Sequence, residues 1–444
     1  MSNKIDMLHG PLGRKILLFA LPLAASSVLQ QLFNAVDVAV VGHFASSEAL
    51  AAVGSNSPVI NLLINIFVGI SMGANVVIAN HIGQNNEAGV RRAVATSALV
   101  AVLSGLGLMV LGMFAARPIL ELMGTPANVI DLATLYLRIY FCGMPFIMVF
   151  NFGSSILRSV GDTKRPLYCL IASGILNAVL NIVLVVGFGM SVDGVAIATV
   201  VANILNAVLV VRMLLRETGA LKLEPRRMKI YSSEFWKMVK IGVPIGVQGM
   251  VFSLSNVVIQ STVNGFGSAA MGGSAASLTY EQLCYFVMAS FCGAAVTFVG
   301  QNFGAGQKER CKRVFRLCMI MAVISTFVCN AVITIFDEFF VGLFSADPDV
   351  YAYATQRIHL VVITQAIACS YEVGGSTLRG MGHSATPAIM TIFGTCLLRL
   401  AWVFFVFPLV PTYQGLMTVY PVSWAVTGLL VLTALWRVSR RELA

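Results

Sequence analysis

Residues 21–44 read LPLAASSVLQQLFNAVDVAVVGHF, and residues 243–266 read VPIGVQGMVFSLSNVVIQSTVNGF. Each stretch is long enough to cross a bilayer, which takes about 20 apolar residues in a helix. The second begins 222 positions after the first (243 − 21) and repeats Pro22 as Pro244, Asn34 as Asn256 and Phe44 as Phe266. The first copy also carries an acid, Asp37, near its middle. A kinked membrane helix with a buried acid, in a chain made of two copies of one unit, points to transport.

Composition supports the same reading. Of 444 residues, 58% are hydrophobic and only 11% are charged. A soluble protein of this length could not cover so much apolar surface. Apolar runs of span length follow one another along the chain, which implies a polytopic helical membrane protein. Within lipid each backbone amide must be satisfied inside its own segment, so the spans must be helices. No run of about 10 alternating residues suggests a transmembrane β-barrel. The net charge of +10 is spread over short loops, so it does not mark a nucleic-acid surface. The nine cysteines form no CxxC pair and read as small buried hydrophobes. The apolar run after Lys15 is too long for a signal peptide and reads as a retained first helix.

Twelve spans are expected: 14–41, 49–80, 91–115, 128–157, 165–189, 193–216, 235–263, 269–302, 312–336, 350–378, 386–408 and 416–437. Lys and Arg gather in alternate loops, including Arg91, Arg92, Arg158, Lys164, Arg165, Arg226, Arg227, Lys312, Arg313 and Arg440. The positive-inside rule then puts both termini in the cytoplasm of a cell-membrane protein. The repeat continues past the first helix. NHIGQNNEAGVRR (80–92) aligns with QNFGAGQKERCKR (301–313), and ILRSVGDTKRP (156–166) with TLRGMGHSATP (377–387). Six spans per copy give both copies the same topology, related by an axis along the membrane normal. The expected organisation is an N-terminal lobe over 1–216, a charged linker over 217–234 and a C-terminal lobe over 235–444. Parallel repeats of this kind place a substrate path between lobes that rock in alternating access.

Polar residues recur at helical spacing within the apolar runs. Gln30, Asn34 and Asp37 share a face of the first span, Ser57, Asn61 and Asn65 one of the second, Ser173, Asn177 and Asn181 one of the fifth. Thr199, Asn203 and Asn206 do so on the sixth. Such stripes avoid lipid, and intramembrane acids are rare and functional. A carboxyl held away from water favours its neutral form, so Asp37 is a candidate to take up a proton or a cation. The alternative is an acid that only ties helices together through the amides. In the second lobe Glu281 lies in the eighth span, Glu372 in the tenth and Arg399 in the eleventh. Arg357 and Arg138 fall nearer span ends. Two acids and one arginine leave one negative charge unbalanced, for a proton or cation to neutralise. Pro22, Pro58, Pro145 and Pro244 are candidate bending points, and Gly69 and Gly73 form a GxxxG packing pair.

Enzyme readings fail on motifs. The chain has no GxxxxGK[ST], HExxH or GxSxG, and its five histidines lack metal-ligand spacing. No catalytic residue, resident metal or cofactor is expected.

FNAVDVAVVG followed by LAAVG, then IGQNNEAGVRR, LRSVGDTKRP and GVAIATV, with QNFGAGQKER and LRGMGHSATP in the second half, resembles the MATE (multidrug and toxic compound extrusion) family over essentially the whole chain. The resemblance implies twelve helices in two six-helix lobes. It implies a secondary antiporter exporting small organic compounds, cationic or amphipathic, in exchange for H⁺ or Na⁺. The family's first-helix acid falls on Asp37, and its polar positions on the fifth and sixth helices fall on Asn177, Asn181 and Thr199. This chain has Asn181 where many prokaryotic relatives have aspartate, and an amide cannot titrate. The family's seventh-helix acid is absent from GMVFSLSN, so Glu281, Glu372, Arg399 and Asn256 are the candidate second-lobe set. A monomer in the bilayer is expected. The alternative is a flippase for a lipid-linked precursor, which would call for a strongly basic cavity.

Overall fold

A computed structural model of the chain describes residues 4–345 and 347–443, and at Ser47, Ser55, Ser57, Pro58, Val59, Asn61 and Leu62 it describes the backbone alone. The candidate residue Asn61, its stripe partner Ser57 and the bending point Pro58 therefore lie outside the described side chains. Among the described residues the fold is helical throughout, with no strand. Eleven helices are long and apolar enough to cross a membrane, and a bent pair brings the count to twelve.

In order the helices are α1 (Leu12–Phe44), α2 (Ser47–Gly83), α3 (Glu87–Leu122), α4 (Ile130–Cys142), α5 (Met144–Ser159), α6 (Lys164–Asn181) and α7 (Val192–Leu215). The second half holds α8 (Ser232–Asn264), α9 (Ser268–Gly304), α10 (Lys308–Ile335), α11 (Asp337–Gly342), α12 (Pro348–Arg357), α13 (Cys369–Gly380), α14 (Ala385–Thr391), α15 (Leu398–Ala401), α16 (Tyr413–Met417) and α17 (Val419–Glu442). The fourth span is α4 and α5, bent by 48° at Gly143. Pro145 begins α5, where a missing amide hydrogen costs no helix bond. Wide π turns extend α6 through 182–187 and interrupt the tenth and eleventh spans at 358–362, 392–397 and 402–406. Such turns recur at functional sites.

The repeat is built into backbone chemistry. Gly161 and Gly382, aligned in the two copies, sit at φ 84° and 91° in equivalent turns. Side chains other than glycine are strained there. A Cβ on Gly161 would also lie 2.8 Å from the Ile5 carbonyl oxygen.

Two compact units form, one of Met1–Asp6 with Ala25–Gly246 and one of Met7–Ala24 with Val247–Ala444. Thus α1 and α8 each begin in one unit and end in the other, and each crosses two residues past its proline, Pro22 or Pro244. In the first unit, Gly69 and Gly73 of α2 face Gly242 and Gly246 of α8. A Cβ on Gly73 would sit 2.3 Å from the Met238 carbonyl oxygen, and one on Gly242 2.3 Å from Ile70 Cα. Two GxxxG pairs therefore let these backbones touch. Below them Glu234 accepts from His81 at 2.9 Å and pairs with Arg92 and Lys237. In the second unit the start of α1 is held by Phe19 edge-on to Phe298 at 5.6 Å and by the Met7 carbonyl, which accepts from Asn302 and Arg310.

Candidate ion and substrate sites

Asp37 lies two turns before the end of α1, 9% exposed. Asn181, at the last turn of α6, donates its amide to Asp37 Oδ1 at 2.5 Å. The same Nδ2 donates to Asn177 Oδ1, 3.3 Å away on the preceding turn. Thr199 of α7 stands 3.4 Å from Asp37 Oδ2, but its one hydroxyl hydrogen goes to the Val195 carbonyl at 2.9 Å. That leaves Oδ2 with little from Thr199. Asn181 Oδ1 is buried and has no partner. The site is rich in oxygens and poor in donors, which suits a proton or a hard cation with oxygen ligands.

Asp37 and Asn34 line a cavity of about 610 Å³ in the first unit, with Gln31, Val53, Ile60, Tyr136 and Tyr140. Tyr136 and Tyr140 stack at 6.1 Å on its wall. The sequence did not single out these tyrosines, although their spacing of four on an apolar helix is a usable signal. Other expected members lie apart. Gln30 is exposed and does not border this cavity. Asn65 is half-buried beside Gly246, and Asn203 donates to the Thr199 carbonyl at 2.9 Å.

The second unit corrects the charge count made from sequence. Arg357, read as nearer a span end, is buried in the helical core. It is 1% exposed, at the close of α12, and donates to Glu281 Oε2 of α9 at 2.9 Å. Glu281 therefore pairs with Arg357 and not with Arg399, and Gln365 donates to its backbone carbonyl at 3.0 Å. Arg379 is also buried and donates to Gln248 of α8 at 2.7 Å. Glu372 of α13 is half-buried and makes no ion pair among the described residues. The interior then holds three arginines against two glutamates, so the surplus charge is positive.

Arg399, 1% exposed on α15, donates Nε to Ser423 Oγ at 3.2 Å and Nη1 to Asn256 Oδ1 of α8 at 2.8 Å. Its guanidinium carbon lies 4.5 Å from the Tyr420 ring centre and 5.1 Å from that of Phe252. Arg357 approaches the same Tyr420 ring at 5.1 Å. Tyr420, Ser423 and Phe252 escaped the sequence reading. The first two lie on α17 at a spacing of three, with Trp424 beside them.

The profile of the MatE family matches residues 22–183 and again 244–405, one match per copy. The chain belongs to the MatE family. It is a membrane transporter and not an enzyme. It is 31% identical over 390 residues to a probable multidrug resistance protein of Bacillus subtilis (strain 168), covering 86% of this chain and 84% of that protein. It is 24% identical to an FAD transporter of Shewanella oneidensis, covering 79% and 78%. An outward-facing MATE transporter of the MOP superfamily superposes with a TM-score of 0.93 at 19% identity, over 100% of this chain and 99% of that one. The fold of this MatE protein is that of the MATE transporters.

Proposed function

We propose that this MatE protein exports small amphipathic organic compounds, cationic ones included, in exchange for H⁺ or Na⁺ taken up at Asp37. Its relatives named as multidrug resistance proteins support the export reading. The observation that carries the coupling is the donor-poor oxygen cluster of Asp37, Asn177, Asn181 and Thr199, of which Asp37 lines the cavity. The Asn181 amide presents N–H to Asp37, an arrangement that favours the carboxylate. A protonated Asp37 is itself a donor and calls for the amide oxygen instead. Turning the amide would break its bond to Asn177, so the ionisation of α1 is read by α6. A sodium ion would instead draw the oxygens of these four side chains together.

The protein works in the cell membrane as a monomer; the distribution of Lys and Arg supports both termini lying in the cytoplasm. The passage of α1 and α8 from one unit to the other, each just past a proline, supports bending of these helices as access alternates. To test the coupling, ethidium is added to the purified chain in weakly buffered detergent. Release of H⁺ or of preloaded Na⁺ is expected from wild type and not from Asp37→Asn. Equal release from both would contradict the assignment.

A further inference from the structure

Arg399 is a buried cation without a buried anion. Among the described residues no carboxylate lies within 4.0 Å of it, and Glu281 is committed to Arg357. Its partners are neutral: a serine hydroxyl, an amide oxygen and two aromatic faces. Nη2 is buried with no acceptor at all. Burying an ion without a counterion costs several kcal/mol, so a site that keeps one usually meets its anion from elsewhere.

The geometry of the guanidinium is that of a prepared fork. Tyr420 and Phe252 hold it by its faces and Ser423 by Nε, leaving the Nη1/Nη2 edge for recognition. One prong is empty and the other holds an amide oxygen, the Asn256 Oδ1 at 2.8 Å. An oxyanion would fill the first and displace the second with a charge-assisted bond, and planar bidentate binding of carboxylate or phosphate is what arginine does best. Asn256 and Phe252 are half-buried on the stretch of α8 that also carries the exposed Leu254 and Val257, so the covering layer is one helix face deep.

The two copies also differ in sign at corresponding helices. In the first unit, the first and fifth spans meet as carboxylate and amide, Asp37 with Asn181. In the second unit, they meet as amide and guanidinium, Asn256 with Arg399. The carboxylate of the first pair thus has a guanidinium as its counterpart in the second.

We infer that Arg399, framed by Tyr420, Phe252 and Ser423, binds an oxyanion carried on an aromatic substrate, so that the exported class includes amphoteric and acidic compounds. This rests on the export reading above, but it is measured by binding alone.

The test uses riboflavin and riboflavin 5′-phosphate, which share one ring system and differ by a phosphate, titrated against the full chain in detergent by flavin fluorescence. Wild type is expected to favour the phosphate roughly ten- to hundredfold, the range of a hydrogen bond between charged groups. Arg399→Gln should erase the preference and Arg399→Lys should keep part of it. Asn256→Ala, which uncovers Nη1 and keeps the arginine, should hold or raise the affinity for the phosphate. Competition by inorganic phosphate alone, without any gain from the ring, would reduce the site to one for a free anion and overturn the aromatic part. Equal binding of the two flavins by wild type, or a preference that survives Arg399→Gln, overturns the inference. If the Arg399-dependent preference holds while ion-driven efflux fails, the coupling reading falls and the site stands. If efflux through Asp37 holds and the phosphate gains nothing, the inference falls alone.

Discussion

Removing the Glu281 carboxylate should destabilise the second unit more than removing the whole ion pair. Arg357 is 1% exposed and its only carboxylate within 4.0 Å among the described residues is Glu281, at 2.9 Å. Its other neighbours include the Tyr420 hydroxyl at 3.4 Å, the Met417 sulfur at 3.7 Å, the Tyr420 ring and the Tyr413 hydroxyl. None carries charge. Breaking a buried pair by deleting one partner costs about 3–5 kcal/mol, because the other ion stays buried. The ring and hydroxyl hold part of that, so Glu281→Ala is expected near 3 kcal/mol. At roughly 2–4 °C per kcal/mol for a unit of this size, Tm should fall by about 6–12 °C. Glu281→Leu combined with Arg357→Met removes both charges and keeps apolar volume. A hydrophobic replacement of a buried pair is often neutral or better, so the double variant should recover most of the loss. The assay is thermal unfolding, in one detergent, of wild type, Glu281→Ala, the single variants Glu281→Leu and Arg357→Met, and the double variant. A Glu281→Ala protein as stable as wild type, or a double variant that loses as much as the two single ones summed, would refute the reasoning.

Gly73→Leu should prevent assembly of α2 against α8, because its Cβ alone would lie 2.3 Å from the Met238 carbonyl oxygen; Gly54→Ala on the same helix meets nothing within 4 Å and should be silent, both read as monodisperse yield. Glu217 follows α7 and accepts from Lys4 at 2.7 Å and from Arg165. Burial works against its ionisation, but these two cations outweigh it and hold its carboxyl below the usual range. A depressed folded-state value means that the contribution is complete above the ordinary glutamate pKa of about 4.3 and is lost as pH falls through the folded value. The Tm gap between wild type and Glu217→Gln should therefore be constant near neutrality and close in acid, below about pH 4; a gap that widens in acid would reverse the sign.

Much of the fold is legible in the sequence because lipid allows so few solutions. Span lengths, the Pro22 and Pro244 pair and the glycines of the two equivalent turns follow from backbone chemistry alone. Asp37, Asn177, Asn181 and Thr199 stand out because polar groups in apolar helices must find one another, and helical spacing says on which face. Spacing fixes the face only to within a residue. Gln30 is exposed and does not border the cavity that Asp37 lines, whereas its neighbour Gln31 does. Arg357 reads as nearer a span end because it lies seven residues into the expected span 350–378. The span continues through a π turn at 358–362 into α13, and packing buries Arg357 beside Glu281. That continuation depends on tertiary packing and brings the charge balance of the second unit from negative to neutral; the buried Arg379 makes it positive.

The central claim is that Asp37 couples ion entry to export. Efflux of ethidium is followed in everted vesicles with the pH gradient and the Na⁺ gradient imposed one at a time, in wild type and in Asp37→Asn at matched expression. Wild type should concentrate the dye under one of the two gradients, which names the ion, and Asp37→Asn should lose that gradient-driven accumulation. A variant that accumulates dye as fast as wild type under the same gradient would contradict the account.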